Sequence, residues 1–222
     1  MAGTPFDLQL LNACAALLLL LSFSMLSQRR IVTLVNLLAM QGGLLCVATL
    51  LLAWRTGQSH LYLSAALTLL LKVILLPWLL HRMIRRLEVY WDTEPLLNTA
   101  GTMLAGVVTV VFAFGLAQPI AALASTAMRN AIGIALAVIL LAFITMITRR
   151  KAMSQVVGFL SMENGLFFGA MSATYGMPMI VELGVALDVL VAMLVLGVFF
   201  FQIREQFDSL DLHHLESLRE DQ

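Results

Sequence analysis

Seven apolar runs, separated by short polar breaks, decide what this chain can fold into. About 20 consecutive apolar residues are needed for a helix to cross the hydrocarbon core of a bilayer. In lipid every backbone N–H and C=O must be satisfied within the protein, so such runs become helices. The expectation is an all-α, polytopic membrane protein with spans at 6–27, 31–54, 61–84, 97–117, 128–148, 152–174 and 178–203. Composition agrees, at 61% hydrophobic and 12% charged residues with a mean hydropathy of +0.95. Soluble domains sit near roughly 45–50% and about 25%. A net charge of zero gives no electrostatic footprint for nucleic acid.

The breaks are informative. Gln28-Arg29-Arg30, Trp54-Arg55, Gln118-Pro119 and Arg149-Arg150-Lys151 close the first, second, fourth and fifth spans. Pro77 is expected to kink the third span one turn after Lys72. Residues 81–95, HRMIRRLEVYWDTEP, mix basic and aromatic side chains and predict a short helix along the cytoplasmic interface. With seven spans, ten of the thirteen Lys and Arg residues fall on one face and only Arg55 and Arg129 on the other; Lys72 lies inside the membrane. The excess of positive charge marks the cytoplasmic side, which places the N-terminus outside and the C-terminus in the cytoplasm. Trp54, Tyr62 and Tyr175 then fall at the outer interface, and Trp78, Tyr90 and Trp91 at the inner one, as aromatic belts do.

Four ionisable residues do not belong in apolar helices: Lys72, Glu163, Glu182 and Asp188. A charged side chain at membrane depth costs several kcal/mol, so it has a partner or a task. Glu163 lies twelve residues past Lys151, Lys72 ten before Arg82, Asp188 sixteen before Arg204, and Glu182 six further on. These intervals are depths of roughly 18, 15, 24 and 33 Å. Lys72 and Glu163 share a level, with Asp188 outward of them and Glu182 at the rim. The arrangement suits a ladder of proton carriers. A structural ion pair, a backbone-bonded Asp188 and a Glu182 facing headgroup water are the plainer readings. Asn164 points to a different side of the helix from Glu163 and suits a hydrogen bond between helices. Gly158, Gly165, Gly169, Gly184 and Gly197 permit close helix approach.

Other chemistries find little support. Cys14 and Cys46 lie in apolar segments at a spacing that matches no metal site, and no Cys or His cluster offers ligands to haem, zinc or an iron–sulfur centre. His213-His214 would point apart on a helix. The N-terminus lacks the basic region of a cleaved signal peptide and reads as a retained span. No nucleophile–base pair or phosphate-binding loop is visible. A rhodopsin-like receptor is excluded because the seventh span has no lysine for a Schiff base.

LKVILLPWLL at 71–80, SMENG at 161–165, VELGVALDVLVAML at 181–194 and SLDLHHLESL at 209–218 resemble, in order, component E of hydrogenase-4, the formate-hydrogenlyase type of membrane-bound nickel–iron hydrogenase. Residues 128–203 in turn resemble the three-helix K-type subunit of complex I and the C subunit of Mrp-type antiporters. The resemblance implies a four-span region at 1–127, a K-type three-span region at 128–203 and a cytoplasmic tail at 204–222. It implies a non-catalytic subunit in the bacterial plasma membrane, with nickel–iron and iron–sulfur centres in partner subunits and no cofactor of its own. Its partners would be antiporter-like membrane subunits and a peripheral hydrogenase arm. Glu163 matches the K-type glutamate of the second helix. Asp188, with Glu182 as alternative, stands for the one in the third, at a shorter interval than in the K-type subunit. Lys72 is carried over from component E alone. An Mrp-type cation/proton antiporter subunit and a purely structural scaffold are the competing classes.

Overall fold

The computed structural model describes residues 6–87, 98–122, 126–174, 184 and 197. The helices, in order, are α1 (Phe6–Ser27), α2 (Ile31–Thr56), α3 (Ser59–Thr68), a π-helical segment (Leu69–Leu75), α4 (Leu76–Leu87), α5 (Thr99–Ala122), α6 (Thr126–Thr148) and α7 (Ala152–Thr174). Since α3, the π segment and α4 run on without a break, the described residues hold six helices long and apolar enough to cross a membrane. They correspond to the first six expected spans. The seventh, at 178–203, with Glu182 and Asp188, and the tail at 204–222 lie outside the described residues. The chain divides into two compact units, Met1–Ala186 and Leu187–Gln222, and all six spans belong to the first.

Local chemistry sets the ends. Gly57 closes α2 at φ 67°, a left-handed conformation that suits glycine, and its N–H donates to the Ala53 carbonyl at 2.9 Å. Only Gly57 and Gln58 then separate α2 from α3, so the two helices turn back on each other. The C-terminus of α1 is capped from a distance. Arg149, buried just past the end of α6, donates to the carbonyls of Met25 and Leu26 at 3.2 and 3.1 Å. A cation at that end satisfies carbonyls that have no partner within the helix and opposes the helix dipole.

Proline shapes the chain at two places. The sequence predicts a kink at Pro77. The structure widens the turn before it, and the N–H of Leu76 reaches back five residues to the Leu71 carbonyl. A proline ring strikes the carbonyl four residues earlier, and an extra residue in the preceding turn moves that carbonyl aside. The sequence also ends the fourth span at 117, whereas α5 continues through Pro119 to Ala122. Near a helix end the missing N–H costs one bond and the chain need not break. Residues 81–87, expected along the interface, continue α4: Met83 and Ile84 are buried while Arg82, Arg85 and Arg86 face outward. The remainder of that expected interfacial helix, 88–95, lies outside the described residues.

In the bundle α6 packs against α7, α5 and α1, while α2 packs against α1, the third span and α7. On α7, a Cβ at Gly158, Gly165 or Gly169 would come within 2.9 Å of Met146, Val138 or Ala135 on α6, so these glycines set the close approach. Among the six described spans the most polar is also the most enclosed. The α7 segment has a hydropathy of 1.2 and is 56% buried, against 2.0 and 22% for Thr99–Pro119 on α5. Trp54, Tyr62 and Trp78 stay on the exterior, with the Arg82 guanidinium 5.5 Å from the Trp78 ring.

Candidate functional site

The π segment and α7 bring Lys72 and Glu163 into contact. Lys72 Nζ lies 2.9 Å from Glu163 Oε1, and the side chains are 4% and 2% exposed. The shared level expected from helix rise is therefore a bonded pair. Lys72 Nζ also donates to Asn164 Oδ1 at 3.0 Å and stands 5.2 Å from the centre of the Phe167 ring. Successive residues on a helix point about 100° apart, so the sequence alone puts Asn164 on another side. The ammonium sits between the two directions and receives both. Glu182 and Asp188 lie outside the described residues, so the ladder is seen here at one rung.

Behind Asn164 a chain of buried polar groups crosses to α2 and α1. Asn164 Nδ2 donates to Gln41 Oε1 at 3.3 Å, Gln41 Nε2 to Ser22 Oγ at 2.8 Å, and Ser22 Oγ to the Leu18 carbonyl at 2.8 Å. Sequence reasoning passed over Gln41 and Ser22, since neutral polar residues in membrane helices attract less suspicion than charges. A signal was present. Gln41 lies eleven residues past Arg30, a depth of roughly 16 Å, the level already assigned to Lys72 and Glu163.

The backbones meet at Gly42. A Cβ there would lie 3.0 Å from Lys72 Cβ and 3.2 Å from its carbonyl oxygen, so α2 rests directly on the π segment. Gly43, next to it, has nothing within 4 Å of the same position. Gly42→Leu is expected to force the helices apart and cost about 1–3 kcal/mol, the usual penalty of overpacking. Gly43→Leu should change little. Thermal unfolding of the purified variants in detergent checks the contrast, and equal midpoints would remove the argument for contact at Gly42.

A cavity of ≈ 10 Å³ touches Lys72, Glu163 and Asn164 and is otherwise lined by Leu38, Leu76 and Leu160. That volume is near the least that seats one water, and three polar groups face it. A carboxylate, an ammonium and a place for a water within hydrogen-bond reach can hold and pass a proton. Among the described residues no three His, Cys, Asp or Glu side chains gather as a metal site.

Fold and site together define a polytopic membrane protein with a charged pair buried where α2, the π segment, α4 and α7 meet. The chain belongs to the family of the uncharacterized protein Rv0085 of Mycobacterium tuberculosis (strain ATCC 25618 / H37Rv), with which it is 37% identical over 221 residues, 99% of this chain and 100% of that protein. It is also similar, at 23% identity over 210 residues, to hydrogenase-4 component E of Escherichia coli (strain K12), covering 95% of this chain and 97% of that one. The protein of the same name from Shigella flexneri matches equally. The distant match supports a related family. No family model matches the chain, and no solved structure does so.

Proposed function

We propose that this chain is a non-catalytic membrane subunit of a multi-subunit nickel–iron hydrogenase of the hydrogenase-4, formate-hydrogenlyase type, and that it forms part of a buried proton route. Similarity to hydrogenase-4 component E along nearly the whole chain supports the first part. The observation behind the second is the Lys72–Glu163 contact, closed off from the exterior and beside a water-sized cavity. The route would run through Lys72 and Glu163 to Asp188 and Glu182. The full topology in this reading is seven spans in the bacterial plasma membrane, N-terminus outside and C-terminus in the cytoplasm. Nickel–iron and iron–sulfur centres belong to partner subunits of the peripheral arm, and antiporter-like subunits adjoin this one in the membrane.

The pair supplies a mechanism. Burial favours the neutral form of a carboxylate, and a cation in contact favours the charged form. Redox turnover in the arm, transmitted as a shift of helices, moves Lys72 on and off Glu163 and so unloads and loads a proton. Affinity purification of the tagged chain from its native membrane, with identification of what accompanies it, tests the assignment. Hydrogenase large and small subunits are expected. A preparation holding only cation/proton antiporter subunits would move the chain to the Mrp-type class.

A further inference from the structure

The polar chain behind the ion pair has a direction, and its far end imposes it. Ser22 gives its hydroxyl proton to the Leu18 carbonyl at 2.8 Å, and a carbonyl can only accept. The Ser22 oxygen is left as acceptor for Gln41 Nε2 at 2.8 Å. Gln41 must then turn its own carbonyl toward α7, where it accepts from Asn164 Nδ2 at 3.3 Å. With its NH2 group so engaged, Asn164 presents its oxygen to Lys72 at 3.0 Å.

We propose that Ser22 and Gln41 are positioning residues that hold Asn164 as a standing acceptor for Lys72, a second seat for the ammonium that stays in place when Glu163 takes up a proton. The use made of this seat rests on the reading of Glu163 as a proton carrier. While Glu163 is ionised, the ammonium bonds both oxygens. Once Glu163 is neutral, the ionic attraction is gone, but the Asn164 carbonyl and the face of Phe167 still hold the cation within reach. Reversing either amide would bring two NH2 groups or two carbonyls face to face among buried side chains. Gln41 is 0% exposed, so no solvent relieves that mismatch.

The sequence makes the test practical, because Lys72 and Lys151 are its only lysines. Isotopic labelling of lysine side-chain nitrogen and asparagine side-chain carbonyl carbon, in protein reconstituted in lipid, reports the Lys72–Asn164 distance as a dipolar coupling in solid-state NMR. The coupling is expected in the wild type and undiminished in Glu163→Gln. It should vanish when Glu163→Gln is combined with Gln41→Leu. Loss of the coupling in Glu163→Gln alone, or its persistence with Gln41→Leu, overturns the proposal. If Gln41→Leu does not fold, Ser22→Ala in the Glu163→Gln background replaces it, with the coupling expected to fall at least by half; an unchanged coupling overturns the proposal. The measurement needs no hydrogen turnover. A Glu163→Gln complex that still pumps would sink the proton reading and leave the seat standing, whereas a failed coupling pattern in a complex that no longer pumps sinks the seat alone.

Discussion

Glu163→Gln is expected to reduce hydrogen-coupled proton translocation to background while leaving dye-linked hydrogen oxidation unchanged. Glutamine matches glutamate in size, so it fills the same space on α7 beside Lys72. What it cannot do is take up and release a proton. In the proposed complex a dye that accepts electrons at the peripheral arm would bypass the membrane route and so read the assembled hydrogenase without the pump. The variant therefore separates a carrier from a spacer. Acidification by inverted vesicles given hydrogen is the measurement, and an undiminished rate in Glu163→Gln would take the residue out of the route.

The second large effect concerns stability. Lys72→Met leaves the Glu163 carboxylate enclosed without its ammonium, and breaking a buried pair from one side costs about 3–5 kcal/mol. Detergent-solubilised protein should show this as a marked fall in unfolding temperature. Combining Lys72→Met with Glu163→Leu removes both charges, and apolar replacements of similar volume often match or exceed a buried ion pair in stability. The double variant is expected to regain most of the loss, assemble, and fail to translocate. If it assembles and translocates normally, the pair is a scaffold. The two variants differ most because one isolates a charge and the other removes the whole polar contact.

Much of this arrangement can be read from the chain, and the boundary has physical causes. The six described spans follow from apolar length, and the depth of Lys72 and Glu163 follows from counting residues to the nearest basic flank. Rotation about the helix axis is another matter. The π segment holds Lys72 at its middle and turns less per residue than an α-helix, so the face on which Lys72 emerges differs from that of a regular helix. Sequence spacing alone does not show that shift, so it gives the level of the pair and not its contact. Asn164 illustrates the same limit, being judged by its helix face when the partner lay between two faces. Gln41 lies at the same depth, but an uncharged amide carries no penalty large enough to single it out by depth. Arg149 reads in the sequence as a flank of the fifth span, and only the fold shows it capping α1.

The enclosure of α7 also bears on biogenesis. Its hydropathy of 1.2 is the lowest of the six candidate spans, so as it leaves the ribosome it gains least from entering lipid unaided. Lys72, Gln41 and Ser22 precede it in the chain and are synthesised first. The earlier helices thus offer the newcomer a lined berth, and order of synthesis doubles as order of assembly.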